Sequence, residues 1–255
     1  MNELRVSVAT YNQVVFPHPE KDSAMLALER KATVLQDESV YVRAQPFGGG
    51  VRILDPSPLE EMLGELKFDS ERSKLEQDFR ILIQPSQWEA VKQYCLQHLE
   101  NPNDPELESA PDRELVEEFE ETTGIRLKPS QYSAQPIGLV IEDNPVWTEN
   151  WYAHGFLTVR VYRTYKVGIV DVNLRQTLMD TSQRVSDEML GRRALENGNG
   201  RANSVLALPL EKVREAYLAL PLEKRFAKIE VDHHKLDESV LAVLGNVDVP
   251  GYRRL

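Results

Sequence analysis

The sequence predicts an α/β fold in which a mixed sheet is sandwiched by flanking helices. Three observations predict it. Valine-rich runs such as Arg5–Phe16 and Phe156–Tyr165 read as strands. Segments such as Pro85–Leu99 repeat apolar residues at helical spacing. The two kinds of segment alternate without a break in composition or an internal repeat, so residues 1–255 read as one domain.

The elements follow in order. Arg5–Phe16 is a strand and Pro17–Asp22 a loop. Ser23 suits the cap of a helix running to Val34, because Met25, Leu26, Leu28 and Ala32 recur at helical spacing. Ser39–Ala44 reads as a strand that enters Gln45-Pro46-Phe47-Gly48-Gly49-Gly50, a backbone-permissive turn, and Val51–Leu54 resumes the strand. Pro58–Phe68 reads as a helix with Leu59, Met62, Leu63 and Leu66 on one face. Asp78–Ile83 reads as a short strand and Pro85–Leu99 as a second amphipathic helix, so the segment about 55–104 is expected to form an inserted helical layer. Asn101–Pro105 is a turn, and Ser109 precedes a third helix that ends near Gly124. Strands are expected at Ile137–Glu142, Phe156–Tyr165 and Val167–Val170, with a turn at Asp143-Asn144-Pro145 between the first two. A helix at Ser186–Leu195 is broken by Asn197-Gly198-Asn199-Gly200. Val205–Leu208 is a short strand. Pro209 suits the first turn of a helix carrying Val213, Ala216, Tyr217 and Leu220, and Leu236–Leu244 reads as the last helix.

Composition narrows the function classes. With 41% apolar and 28% charged residues the chain is of ordinary globular type. No run approaches the roughly 18–20 apolar residues of a membrane helix. Met1-Asn2-Glu3-Leu4-Arg5 lacks the basic start and apolar run of a signal peptide. Cys95 is the single cysteine, which excludes an intramolecular disulfide and a cysteine zinc site; within Val91–Leu96 it reads as a small core residue. Together these features predict a cytoplasmic setting. A net charge of -11 argues against a binder of polymeric nucleic acid, because the phosphate backbone would repel it. A local basic patch for a single nucleotide is still compatible.

The segment richest in chemistry is Ser109–Ile125. Ser109 with Asp112 has the spacing of a capping box, Pro111 is tolerated in a first turn, and Gly124 suits a left-handed C-terminal cap. At 100° per residue, Leu115, Val116 and Phe119 form an apolar stripe, while Glu114, Glu117, Glu118 and Glu121 share another. The pairs Glu114/Glu118 and Glu117/Glu121 each cost a helix about 0.2–0.5 kcal/mol in repulsion. A divalent cation would convert that repulsion into coordination. A solvated acidic face is the plain alternative, and Glu60, Glu61 and Glu65 form another such cluster.

Arg113-Glu114-Leu115-Val116-Glu117-Glu118 resembles the core of the Nudix box, Arg-Glu-apolar-x-Glu-Glu, on a helix that follows a loop. Gly124-Ile125 resembles the Gly-apolar end of that box, and Gln45–Gly50 resembles the glycine turn that precedes it. Val205–Val213 resembles the late strand-then-helix segment, so the resemblance spans roughly residues 39–220. It implies a Nudix-like α/β/α sandwich and a pyrophosphatase of nucleoside diphosphate derivatives. In that scheme Glu114, Glu117 and Glu118 hold Mg²⁺ or Mn²⁺, and Arg113 orients a carboxylate. Glu117, Glu118 and Arg113 are then the catalytic set. Gly48, Gly49, Gly50 and Arg52 are the expected contacts to a nucleotide-like small molecule.

Two departures keep other functions open. Predicted helices separate the glycine run from the box, where the family has a short loop. The family glutamate eight residues before the arginine falls at Pro105, with Glu106 adjacent. A Nudix-fold module that binds or senses a nucleotide without cutting it is the second reading. An interaction protein with an acidic surface helix is the third. The oligomeric state, a homodimer included, is left open. Elsewhere, His233-His234 reads as an exposed strand end. His154 lies near Trp147, Trp151 and Tyr152, which suit either a base-binding pocket or a core or dimer contact.

Overall fold

The computed structural model of the chain describes residues 3–147, 155–222, 229–245, 247 and 252–254. Strands β1 (Leu4–Pro17), β2 (Ala24–Val34), β3 (Val40–Gln45), β4 (Phe47–Gly50) and β5 (Arg52–Ile53) come first. Helix α1 (Ser57–Leu63), β6 (Lys67–Phe68), α2 (Glu71–Glu76), β7 (Arg80–Ile83) and α3 (Trp88–His98) follow. β8 (Leu107–Glu108) leads into α4 (Asp112–Thr123). The long strands β9 (Tyr132–Trp147) and β10 (Leu157–Ile169) precede α5 (Val172–Arg184) and α6 (Asp187–Glu196). Last come β11 (Arg201–Pro209), α7 (Leu210–Leu218), β12 (Ile229–Val231), β13 (His234–Leu236), α8 (Val240–Val243) and β14 (Tyr252–Arg254).

β1 is the axis of the mixed sheet. Along one edge it runs parallel to β10, from Leu4 opposite Leu157 to Val15 opposite Gly168. Its other edge is shared by three antiparallel strands in succession: β7 at Leu4–Ser7, β4 at Ala9–Asn12 and β2 at Val14–Pro17. The glycine strand β4 is therefore held in the middle of the sheet. β2 then diverges to pair with β3 and β11, while β9 and β14 extend the sheet beyond β10.

Residues opposite each other in register share a face of the sheet. Val14 lies opposite Ala27, so even positions of β1 face the same way as odd positions of β2. Helices α4 and α5 cover one end of that face, with Leu115, Phe119, Leu174 and Leu178 against Val14, Ala27, Phe47 and Val205. The other end is covered by α1 and α3, whose Leu59, Val91 and Cys95 pack with Val6, Val8 and Ile81. On the opposite face α7 and α8 pack over Val15, Leu26 and Leu28. Leu115 and Phe119 are fully buried, and each such side chain contributes about 1.5–3 kcal/mol, which fastens α4 to the sheet. Among the described residues no helix is long and apolar enough to cross a membrane.

Several sequence expectations are corrected. The segment Ser23–Val34 is not a helix but strand β2. Every residue from Met25 to Arg30 is buried, because the strand is covered on both faces and paired on both edges. A doubly buried strand has a continuous apolar run, in which helical and strand periods cannot be told apart. Gln45–Gly50 is not a turn, since Phe47–Gly50 pair with β1. The helix expected over Pro58–Phe68 stops at Leu63, with Gly64 at positive φ, and Lys67–Phe68 pair with β7. The 55–104 segment is thus not purely helical, and β7 enters the central sheet. Asp143-Asn144-Pro145 lie within β9 rather than in a turn, and β10 runs unbroken through Tyr165-Lys166-Val167. Helix α5 had no sequence expectation. The segment expected to be helical over Leu236–Leu244 splits into the end of β13 and α8. His233-His234 sit at a tight hairpin, where Asp232 and His233 take positive φ between β12 and β13.

Candidate functional site

The site is the junction of α4 with the glycine strand β4. The helix begins without a side-chain cap, since the residue before Asp112 is Pro111. Ser109, expected as its N-cap, serves instead as an anchor. Its carbonyl accepts from the Tyr165 hydroxyl at 3.0 Å and from Thr10 Oγ1 at 3.4 Å, which fixes the entry to α4 over β1 and β10. Asp112 and Glu114 in the first turn suit the positive end of the helix dipole. Gly124 closes the helix in the left-handed conformation, donating its N–H to Glu120 O.

β4 pairs with β1 along one edge, and side chains of α4 meet the other. The Gly48 N–H donates to Glu118 Oε2 at 2.6 Å, and Arg113 Nη2 donates to Gly50 O at 3.2 Å. Glu114 lies against Gly49 so closely that a Cβ there would stand 2.0 Å from its Oε2. Asp78 lies in the same way against Gly50. Gly48 has φ +141°, and a Cβ there would strike the Thr10 carbonyl oxygen of β1 at 2.0 Å. The glycines thus let a sheet strand approach both its neighbour and two carboxylates.

Arg113 holds the acidic groups around it. Its Nε bonds Glu108 Oε2 at 2.7 Å, and its Nη1 pairs with Glu114 and lies 3.5 Å from Glu117 Oε2. Arg52, on β5 beside β8, reaches Glu108 only at 3.9 Å and is more than two-fifths exposed. The four glutamates of the acidic stripe separate. The Glu118 and Glu114 side chains are mostly covered, at 14% and 17% exposure, whereas Glu117 is 58% exposed and Glu121 is also at the surface. The expected trio of Glu114, Glu117 and Glu118 is therefore not assembled, because Glu117 turns outward.

A second pair of charges meets Glu118 from the sheet. Lys31 Nζ lies 3.3 Å from Glu118 Oε1 and 2.7 Å from Glu29 Oε2. Glu29 has no exposed side-chain surface and also accepts from Gln45 Nε2 at 3.2 Å and Thr122 Oγ1 at 3.3 Å. Burial pushes the Glu118 carboxyl up, as do Glu29 and Glu114. Lys31 and the Gly48 N–H oppose the rise, and the net value is about 8. Burial likewise raises Glu29 and Glu114, against the pull of Lys31 and Arg113 respectively. Burial works against the Lys31 ammonium, but Glu118 and Glu29 more than offset it and hold its pKa above the usual lysine value.

Among the described residues no group of three His, Cys, Asp or Glu side chains is placed to hold a metal ion. Glu114 and Glu118 still offer hard oxygen donors against one stretch of backbone, and Mg²⁺ is commonly held by one or two carboxylates with water and phosphate oxygens completing its shell. The donor chemistry of this pair fits such an ion. Glu29, Lys31, Thr122, Glu108 and Asp78 were not anticipated from sequence. Glu29, Lys31, Glu108 and Asp78 belong to strands or turns whose register the sequence does not state, and Thr122 lies on the buried face of α4 beside them. Arg43 pairs with Asp237 at 2.6 Å, remote in sequence from this cluster. Cys95 is fully buried in the core, as expected. Trp147, at the end of β9, is 61% exposed, while Trp151, Tyr152 and His154 lie outside the described residues.

No known family profile matches the sequence, and no curated protein matches it. Among solved structures, the chain aligns with the T. brucei MERS1–RNA complex at 9% identity and a TM-score of 0.25. That alignment covers 96% of this chain and 63% of the other, so this chain spans under two thirds of that protein's length. A likeness of this size carries no argument about fold or function.

Proposed function

We propose that the chain is a divalent-metal-dependent hydrolase of Nudix type that cleaves the pyrophosphate bond of a nucleoside diphosphate derivative at the α4–β4 junction. The observation that supports this reading is the convergence of Glu114 and Glu118 on Gly48–Gly49, with Arg113 holding Glu114. A Mg²⁺ or Mn²⁺ ion held by these two carboxylates would neutralise the diphosphate and supply an activated water. The other roles belong to the chain. Arg113, braced on Glu108 and the Gly50 carbonyl, fixes Glu114 toward β4. The Gly48 N–H fixes the rotamer of Glu118. Glu117, at the exposed rim, keeps a role as a proton acceptor open to solvent.

A second reading is a nucleotide-binding module without turnover. It is favoured by Lys31, whose ammonium already pairs with both Glu118 and Glu29. A hydrolysis screen over nucleoside diphosphate derivatives, with Mg²⁺ or Mn²⁺ and phosphate-containing products as readout, separates the two. Turnover by the wild type that drops by orders of magnitude in Glu118→Gln and Glu114→Gln supports the enzyme. Metal-dependent nucleotide binding without turnover supports the module. Neither turnover nor binding would leave the exposed acids of α4 as a solvated face.

A further inference from the structure

Lys31 and Glu29 are two apart on β2 and so project from the same face of the sheet, the face that α4 covers. Lys31 Nζ bridges Glu29 Oε2 and Glu118 Oε1, at 2.7 and 3.3 Å. Glu118 Oε2 is taken by the Gly48 N–H. Both oxygens of the one carboxylate shared by helix, glycine strand and β2 are thus engaged, one of them by a cation that the chain itself supplies. The Lys31 side chain is 30% exposed, so its flexible stem has open space to move into, whereas Glu29 is sealed on all sides. A divalent ion using Glu118 as a ligand would meet the ammonium at the same oxygen, and two cations at that distance in a covered site repel strongly.

We infer that Lys31 is the resident cation of this junction: it holds Glu118 in the metal-free protein, and a divalent ion must displace it from Glu118. The inference rests on the reading of Glu114 and Glu118 as metal ligands. It follows that the ammonium weakens metal binding by competition and that displaced Lys31 stays tethered through Glu29. Its role is to position Glu118 and to make metal occupancy conditional.

The test is calorimetric titration of the full chain with Mn²⁺ alone, without nucleotide, for the wild type, Lys31→Met and Lys31→Arg. Methionine keeps the length of the stem and removes the charge, and arginine keeps the charge. Lys31→Met is expected to bind Mn²⁺ roughly tenfold tighter or more, while Lys31→Arg stays near the wild type. Mn²⁺ should also raise the unfolding temperature of Lys31→Met more than that of the wild type. If Lys31→Met does not fold, Lys31→Gln carries the same comparison. Wild-type binding with equal or weaker binding by the uncharged variant would overturn the role of Lys31 and leave the metal reading standing. No Mn²⁺ binding by any folded variant would overturn both.

Discussion

Alanine at Gly48 and alanine at Gly49 are the same chemical change one residue apart, yet the structure assigns them different consequences. At Gly48 the backbone has φ +141°, a region that costs a non-glycine residue about 1–3 kcal/mol. The new Cβ would stand 2.0 Å from the Thr10 carbonyl oxygen and 2.9 Å from the Tyr11 Cα, both backbone atoms of β1. Strand β4 would have to move off β1, and forced overpacking of that kind costs about 1–3 kcal/mol more. Set against a gain of about 0.4–1 kcal/mol from stiffening the unfolded chain, Gly48→Ala should lose about 1–5 kcal/mol. At about 2–4 °C per kcal/mol for a chain of this size, its unfolding temperature should fall by about 2–20 °C. At Gly49 the obstacle is the carboxylate of Glu114, the far end of a flexible side chain, and the backbone is not in the left-handed region. Gly49→Ala should stay within about 1 kcal/mol of the wild type, because Glu114 swings away and the unfolded-state gain offsets part of its lost pairing. If Glu114 and Glu118 hold a divalent ion as proposed, Gly49→Ala should nevertheless weaken Mn²⁺ binding, since Glu114 no longer faces Gly48–Gly49. Thermal unfolding monitored by circular dichroism and Mn²⁺ calorimetry read the two effects. Equal stability losses in the two variants, or a Gly48→Ala protein as stable as the wild type, would refute the placement of β4 between β1 and α4.

Two further outcomes test the framework around the site. Phe119 is fully buried with its ring centroid 5.5 Å from that of Phe47, so Phe119→Ala should cost about 3–5 kcal/mol in urea unfolding, and an unchanged midpoint would remove α4 from the core. Asp187 is held below the usual carboxylate pKa, first by His234 and then by Arg30, whose own side chain is 1% exposed. A depressed carboxyl stabilises the fold above its unfolded value near 3.8, and that contribution is lost as the pH falls through the lower folded value. Asp187→Asn should therefore cost about 1–3 kcal/mol at pH 7, reduced from a sealed pair because Asp187 is about a third exposed, and the deficit should shrink below pH 3.8. A deficit that is the same at pH 7 and pH 3 would contradict the pairing.

How much of this fold the sequence shows depends on whether one face of each element meets water. β1, α3, α6 and α7 were legible, because an apolar run bounded by loop residues or an amphipathic stripe marks them. β2 was not. Its Met25-Leu26-Ala27-Leu28 run fits a helix as well as a strand buried on both faces, and one of the two paired edges that decide the matter is made by β11, far along the chain. The glycine run is ambiguous for a related reason. Gly48-Gly49-Gly50 permits a turn, but permissive backbone also permits close approach, and the approach here is by Thr10, Glu114 and Asp78. Asp143-Asn144-Pro145 carries turn chemistry and still lies in a strand. The register with β10 shifts there, from Glu142 opposite Arg160 to Val146 opposite Thr158, so Asp143-Asn144-Pro145 fall in an irregularity where Pro145 breaks no ladder.

The acidic helix shows where finer reading was available. Glu114, Glu117, Glu118 and Glu121 share a broad stripe of the helix but stand at different angles. Measured from the centre of the buried residues Leu115, Phe119 and Thr122, at 100° per residue, Glu118 stands about 65° away and Glu114 about 105°. Glu121 stands about 125° away and Glu117 about 165°. Exposure follows the same order for the three whose pairing defines the site: 14% for Glu118, 17% for Glu114 and 58% for Glu117. The inward turn of Glu118 was therefore present in the spacing, and so was the outward turn of Glu117. The depth of Glu114 was not. At about 105° it sits near the edge of the apolar stripe, where Val116 on the opposite flank is also only half-buried. Two neighbours draw it in: Arg113, which pairs with it, and Gly49, whose missing Cβ leaves the space its carboxylate fills. The first is visible in the sequence. The second becomes visible only when β4 is placed beside α4, and that placement is set by the pairing of β4 with Ala9–Asn12, about a hundred residues before the helix.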